Sequence, residues 1–515
     1  NLIAPVDTRP QAGQYESGEL GFGMRFADLY DSAALVKLDA AFLTFVAARD
    51  GELHQRLLTA RLASTELPVK AQSELLLALT SHVEAFIAAL FGIASEVGAL
   101  TARHLELSPL YSVKRLFVQR KAANKYKGAA ADALDGPALA SRLERLLGNS
   151  LTELLFAQKV SEWQKDEAAN AEALDVALQY AAWALQTEAG RKKHAAGVLF
   201  KAPHKLDAQH LVPSAVDATP GYTVHTFPVE KLRRREGFKL TDKGTDLTGA
   251  LDHANYCIWC HEQGKDSCSK GLLEKGASGR GAASFKKSAF GVTLAGCPLE
   301  EKISEFHKAK TEGYAIGALA IITVDNPMAA ATGHRICNDC MKACIYQKQE
   351  PVDIPQAETR TLKDVLELPW GFEIYSLLTR WNPLNLRKPL PQAPSGKRVL
   401  IAGMGPAGFS LAHYLMNDGH TVVGIDGLKI EPLPAKFSGV EANGTRVPFM
   451  PIRDVRELYE NLDERVMAGF GGVAEYGITV RWDKNFLKII RLLLERRREF
   501  ALFGGVRFGG TITAD

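Results

Sequence analysis

Cysteine is missing from most of this chain: all seven thiols among its 515 residues fall between Cys257 and Cys344. An odd number of thiols confined to one stretch of a long chain argues against a disulfide framework, which suits small secreted domains, and favours a metal site in a reducing compartment. Long apolar runs are missing too. The most apolar stretch, residues 85–95, is bounded by Glu84 and Glu96 and falls short of the roughly 20 residues that cross a bilayer, so no transmembrane helix is predicted. Neither sign of charge dominates: 62 Lys and Arg against 59 Asp and Glu leave a net charge of +3. That excludes a whole-chain basic field and implies no nucleic-acid partner. The local runs Lys231 to Arg235 and Arg496 to Arg498 read as solvated faces. No basic and apolar leader follows Asn1, so a signal peptide reads as absent or removed and the protein is placed in the cytoplasm.

At 515 residues the chain is too long for one core and predicts about three domains. Residues 1–202 are rich in Ala, Leu, Glu and Arg with helical periodicity. Pro68 can open a long helix in which Leu75, Leu79, Val83, Phe86, Ile87, Leu90 and Ile93 recur at spacings of three and four, as one buried face requires. Another helix is expected over 174–191. His82, His104 and His194 lie among these helices without a chemical cluster around them and read as structural. This half is assigned to docking or oligomerisation. Residues 203–249, where prolines and β-branched residues replace the helical pattern, read as an extended connector. A second, proline-rich linker covers 383–396.

The cysteines run Cys257-Ile-Trp-Cys260, Cys268, Cys297-Pro298, then Cys337-Asn-Asp-Cys340-Met-Lys-Ala-Cys344. Thiolates are the ligands soft iron clusters need, and a CxxC pair delivers two from one tight turn. Seven is one short of two full sets of four, so two clusters would require one ligand of another type. A zinc site built from both CxxC pairs is an alternative, giving a zinc-stabilised scaffold with a relic nucleotide fold. Cys257-Ile-Trp-Cys260-His261 also matches the c-type haem pattern CxxCH.

Downstream, the strand-like Arg398 to Ala402 runs into Gly403-Met404-Gly405-Pro406-Ala407-Gly408 and a helix over 409–417. This is the strand, glycine-rich loop and helix order of a dinucleotide site. A second strand over 421–425 ends at Asp426, placed to accept hydrogen bonds from a ribose diol. The motif alone does not separate FAD from NAD.

These residues together resemble the glutamate synthase small-subunit family of FAD-dependent pyridine nucleotide oxidoreductases, and the N-terminal half of dihydropyrimidine dehydrogenase. The likeness covers about residues 250–515 and rests on Cys257, Cys260 and Cys268, Gly296-Cys297-Pro298, Asn326-Pro327, Arg335-Ile-Cys337 through Cys344, and the flavin loop. It extends to Gly471-Gly472 and Tyr476-Gly477-Ile478, read as a second flavin-contacting stretch. The resemblance implies a multidomain protein: the all-α N-terminal half, an α-helical double-cluster ferredoxin-like domain over 250–382, and the first half of an α/β Rossmann-type FAD domain over 397–515. It implies two [4Fe-4S] clusters, one on Cys257, Cys260, Cys268 and Cys344. The other would use Cys297, Cys337 and Cys340 with Glu358 as fourth ligand and Gln356 in reserve. FAD would receive hydride from NAD(P)H, and an electron-accepting protein or domain would take single electrons. No catalytic acid, base or nucleophile is assigned. Three departures stand out: a Gly-, Ser- and Lys-rich insert between Cys268 and Cys297, a short Cys337 to Cys340 spacing, and about 40 extra residues between Asp426 and Gly471. No second GxGxxG follows before Asp515, so the NAD(P)H site is expected outside this stretch.

Overall fold

A computed structural model describes residues 18–219, 221–232, 240, 243–274, 284–332, 337–462, 464, 469–470 and 483–514. Asp31 and Asp50 start the helices Ser32–Ala47 and Gly51–Leu62 by accepting hydrogen bonds from the Ala34 and Leu53 N–H groups at 2.9 and 2.8 Å, satisfying donors a helix start leaves open. Pro68 opens Val69–Phe91, and Gly92, left-handed at φ 66°, closes it. The face expected from spacing is the buried one, with Leu75, Leu79, Val83, Phe86, Ile87 and Leu90 each at most 2% exposed. This 23-residue helix is long and apolar enough to cross a membrane by length and composition, yet 61% of its most apolar window is buried inside the protein. It packs against the apolar helix Ala315–Asp325.

The described part of the N-terminal half, residues 18–202, feeds two cores. One runs from Met24 to Val97, through the cysteine-bearing segment and helices Ile354–Leu366 and Gly371–Leu378, into the nucleotide half as far as Phe500. The second gathers Leu110 to Phe200 and takes Leu247 and Leu251 from the helix Leu247–Tyr256. Within it, Lys114–Ala122 winds as a wide π-helix, a rare form that recurs at functional sites. The helix expected over 174–191 is two helices, Ala171–Gln186 and Glu188–Lys193. Thr187 between them is extended, and its hydroxyl caps the second by accepting the Gly190 N–H at 3.0 Å. The connector carries one small antiparallel pair, Ala215–Asp217 with Val224–Thr226, and is mostly exposed.

Three parallel strands form a sheet in the order Arg398–Ala402, Thr421–Asp426, Phe500–Gly504. The helix Pro406–Asn417 joins the first two, starting at Pro406 rather than 409. Asn485–Glu495 leads into the third.

Polar ties bind these parts. The Arg496 guanidinium, expected in solvent, is buried. It donates to both oxygens of Glu373 at 2.8 and 3.0 Å, to Tyr30 Oη at 2.9 Å and to the Phe437 and Met450 carbonyls. Tyr30 donates to Glu373 at 2.9 Å. Arg497 is buried too, donating to Asn417 Oδ1 at 2.7 Å, and only Arg498 of the three is exposed. A second tie is Glu84, whose Oε2 accepts the Gly317 N–H at 2.8 Å at the start of Ala315–Asp325.

Removing one partner from a buried pair strands the other charge. Glu373→Ala should therefore cost about 3–5 kcal/mol, read from the urea midpoint, and an effect below 1 kcal/mol would refute the tie. Burial raises the Glu84 carboxyl from 4.5 to about 8 against the pull of the Gly317, Ile316 and Ala315 amides. A raised folded value means the native state keeps a proton the unfolded chain gives up. That stability is complete below pH 4.5 and is lost as pH rises through about 8. Glu84→Gln keeps an acceptor and has no proton to lose, so its stability relative to wild type should rise between pH 5 and 9; parallel pH curves would contradict this.

Candidate functional site

The helix Leu247–Tyr256 starts at Asp246, which accepts the Gly249 N–H at 2.8 Å, and hands the chain to Cys257 in extended backbone. Trp259 then turns through the left-handed region at φ 50° before Cys260. Asp266 caps the short turn Ser267–Lys270 that carries Cys268, while Cys344 closes the helix Asp339–Ala343. All four of these thiols are buried. They act on one another: Cys257 lies within reach of the charges of Cys260 and Cys344, and the side chains of Cys268 and Cys344 interact. Burial pushes Cys257 up and Cys260 up to about 11. Cys344 goes the other way, down to about 7, because the Cys268 side chain acts on it and the Val352, Tyr346 and Ile345 amides point at it.

Cys297, Cys337 and Cys340 form the second group, with Cys340 in the electrostatic field of Glu358, Glu301, Cys297 and Cys337. Gly296 enters it at φ 84°, where a Cβ would stand 2.5 Å from the Gly271 nitrogen. The two groups are joined by backbone, the Cys297 N–H donating to the Cys268 carbonyl at 2.8 Å. Cys337 is exposed, its thiol 3.8 Å from Asp339 Oδ2. Glu358 is buried on Ile354–Leu366 and accepts from Asn326 Nδ2 at 2.9 Å. Burial and then the neighbouring Glu301 hold its carboxyl well above the usual range. Gln356 faces elsewhere, its Oε1 taking the Thr245 N–H at 3.0 Å. Glu301 is a participant the motifs did not name; it is buried, raised to about 8 by burial and then Asp325, and bonded to Asn326. An acid four residues after Cys297 was the available signal.

Among the described residues no three His, Cys, Asp or Glu converge as a single metal ion requires. A [4Fe-4S] cluster makes a different demand, because its four ligands each take a separate iron and need only surround a common space. In donor type the thiols suit such a cluster, and by their mutual electrostatic contacts the two CxxC pairs belong to different groups, unlike a zinc site built from both. His261 of CxxCH is buried and paired through Nδ1 with Ser304 Oγ.

In the nucleotide loop Gly403 has φ 97°, and a Cβ on Gly408 would lie 2.0 Å from the Gly403 carbonyl oxygen. A Cβ on Gly405 would meet nothing within 4 Å, the clear approach a pyrophosphate needs. Asp426 accepts from the Met404 N–H at 2.9 Å and the Leu428 N–H at 2.9 Å, so it also braces the loop. Gly471, Gly472, Tyr476, Gly477 and Ile478 lie outside the described residues. The loop's helix borders the second cysteine group: Tyr414 donates to the Asp325 carbonyl at 3.1 Å and senses the charges of Asp325 and Glu301.

Residues 20–92 match the family model for the RP005 N-terminal alpha-helical domain. Protein RP005 of Rickettsia prowazekii is 30% identical over 305 residues, covering 57% of this chain and 99% of RP005. The chain belongs to the RP005 family. Protein RP006 of the same organism is 54% identical over 188 residues, 36% of this chain, and the match spans a quarter of RP006. The small chain of NADPH glutamate synthase from Mycobacterium tuberculosis is 27% identical over 128 residues, 25% of this chain and 23% of that protein. This RP005-family chain thus shares a distant likeness with an oxidoreductase subunit.

Gly408→Ala should cost about 1–3 kcal/mol, because its methyl group meets fixed backbone, whereas Gly405→Ala should be close to neutral. Urea unfolding of both checks this; equal effects would show that the loop relaxes around either side chain.

Proposed function

We propose that this chain is an electron-transfer oxidoreductase module working between NAD(P)H, FAD and two [4Fe-4S] clusters, for a partner protein or domain that accepts the electrons. The observation that carries the reading is the division of the seven thiols into four and three, with the buried carboxyl of Glu358 beside the three. The distant likeness to a glutamate synthase small chain points the same way. Cys257, Cys260, Cys268 and Cys344 would hold one cluster, and Cys297, Cys337, Cys340 and Glu358 the other. Gly403, Gly405, Pro406, Ala407, Gly408 and Asp426 would hold the dinucleotide end of FAD. When bound, these groups supply hydride acceptance and one-electron transfer.

The chain's own residues have distinct tasks. Burial of six of the seven thiols at least in part keeps water from the sulfurs. Asn326 holds Glu358 by Oε1, leaving Oε2 as the atom proposed for iron. The helix Pro406–Asn417 presents its N-terminus at Gly405 to the pyrophosphate. Free thiols at this density place the protein, on this reading, in the cytoplasm.

Anaerobic purification should yield about eight iron and eight sulfide per chain, two cubanes' worth. Cys268→Ser and Cys340→Ser should each remove about half, and the double variant nearly all. Stoichiometric zinc without sulfide would end the proposal.

A further inference from the structure

A wide cavity lies apart from the cysteine side chains of both thiol groups. It is an open cleft of about 1680 Å³ between the second helical core and the first cysteine group. One wall is the π-helix Lys114–Ala122, which sets Lys114, Arg115, Gln119 and Arg120 along the cleft. The facing wall is a stacked pair, Tyr256 and Tyr346, with ring centroids 4.4 Å apart and planes 8° from parallel. Tyr346 lies within electrostatic reach of Cys344, Cys257 and Cys260 on one side and of Arg115 on the other. The cleft therefore opens at the tyrosine pair, whose Tyr346 lies within electrostatic reach of the first thiol group.

The charges in the cleft are unevenly spent. Asp246 and Asp353 cap helices at Gly249 and Gln356. Asp252 is paired with Lys114 at 2.6 Å, and Glu350 with His204 at 2.9 Å. Each acid lining the cleft is thus engaged within the protein. Arg115, Arg120, Arg191 and Lys201 line the same cleft, are exposed, and have no acidic partner among the described residues. Lysines and arginines outnumber carboxylates in the lining five to four, and the four without an ion-pair partner are the ones that can meet an anionic partner.

We propose that this cleft is the docking site for an acidic protein, whose projecting surface seats between the π-helix and the tyrosine pair. The partner's role as electron acceptor rests on the function proposed above; the charge match does not. Size favours a protein, since small-molecule pockets occupy about 300–1,000 Å³ and this cleft is larger and open. Nucleic acid fits less well, because the four engaged acids interrupt the cationic surface that a continuous phosphate backbone would follow.

The test titrates the 515-residue chain with a labelled plant-type ferredoxin, an acidic one-electron carrier, and with a basic cytochrome c as the charge control. Saturable binding of the ferredoxin alone, weakened by added salt, is expected. The triple variant Arg115→Glu, Arg120→Glu, Lys201→Glu should lose on the order of tenfold or more in affinity with an unchanged thermal midpoint. Arg498→Glu, exposed and outside the cleft, should bind like wild type. Equal binding by wild type and triple variant overturns the proposal. So does tighter binding of a DNA duplex, of a free dinucleotide, or of a second copy of the chain through the same residues. Iron and sulfide measured on the same sample separate the two ideas: clusters present without ferredoxin binding refute docking alone, whereas binding without clusters refutes the electron-transfer reading alone.

Discussion

The contact of Arg496 with Glu373 and Tyr30 holds the remainder in register. Tyr30 precedes the first long helix, Glu373 lies on a helix beyond the cysteines, and Arg496 follows the helix that leads into the third strand. Three segments hundreds of residues apart in sequence meet at one guanidinium, and both charged members are at most 1% exposed. A buried charge pair offers little net stability over apolar packing, yet losing either member is costly. The tie therefore penalises any arrangement in which one segment has not docked. The Arg380 guanidinium reinforces it, lying 4.1 Å over the Tyr30 ring and donating to the Leu29 carbonyl.

This explains why the family's N-terminal helices share a core with the thiol-bearing segment. Ser73 on Val69–Phe91 donates to Glu305 at 2.5 Å, and Asp39 on the first long helix accepts from the Trp381 indole at 2.9 Å. Together with Glu84 at the start of Ala315–Asp325, these bonds make residues 20–106 a brace behind the cysteine loops. Loops bearing metal-ligating residues have few regular hydrogen bonds of their own and need such support to hold a geometry. Docking, assigned from sequence to the whole helical half, is accordingly proposed only for the second core.

Much of this was readable in the chain. Leu75 to Leu90 declared a buried helical face because helix periodicity repeats a spacing set by geometry. The partition of the cysteines came only through the resemblance to the glutamate synthase small-subunit family; Cys340 and Cys344 lie near opposite ends of one short helix, a spacing that by itself assigns neither to a group. The fate of Arg496 and Arg497 was not readable. A run of three arginines looks solvated because charge is costly to bury, and the carboxylate and carbonyls that satisfy Arg496 come from far along the chain. The break at Thr187 was hidden for a related reason: Gly190 packs against the Trp183 carbonyl, where a Cβ would lie 2.4 Å from the oxygen, a contact that periodicity does not encode.

Glu301 shows the same limit at the site itself. Two carboxyls and one amide are buried together around Cys340, with Asn326 bonded to both acids. No cation stands among the charges acting most strongly on Glu358, where burial and Glu301 both oppose ionisation, and Lys302, which acts on Glu301, is paired with Asp325 at 2.9 Å. Such a pair is unfavourable for stability, since two acids share one amide in a dry interior and at least one must keep its proton. A stabilising role would be better filled by apolar side chains of similar volume. What the arrangement does supply is oxygen donors next to three thiols, and a positively charged iron centre is the kind of group that would relieve the burial of both.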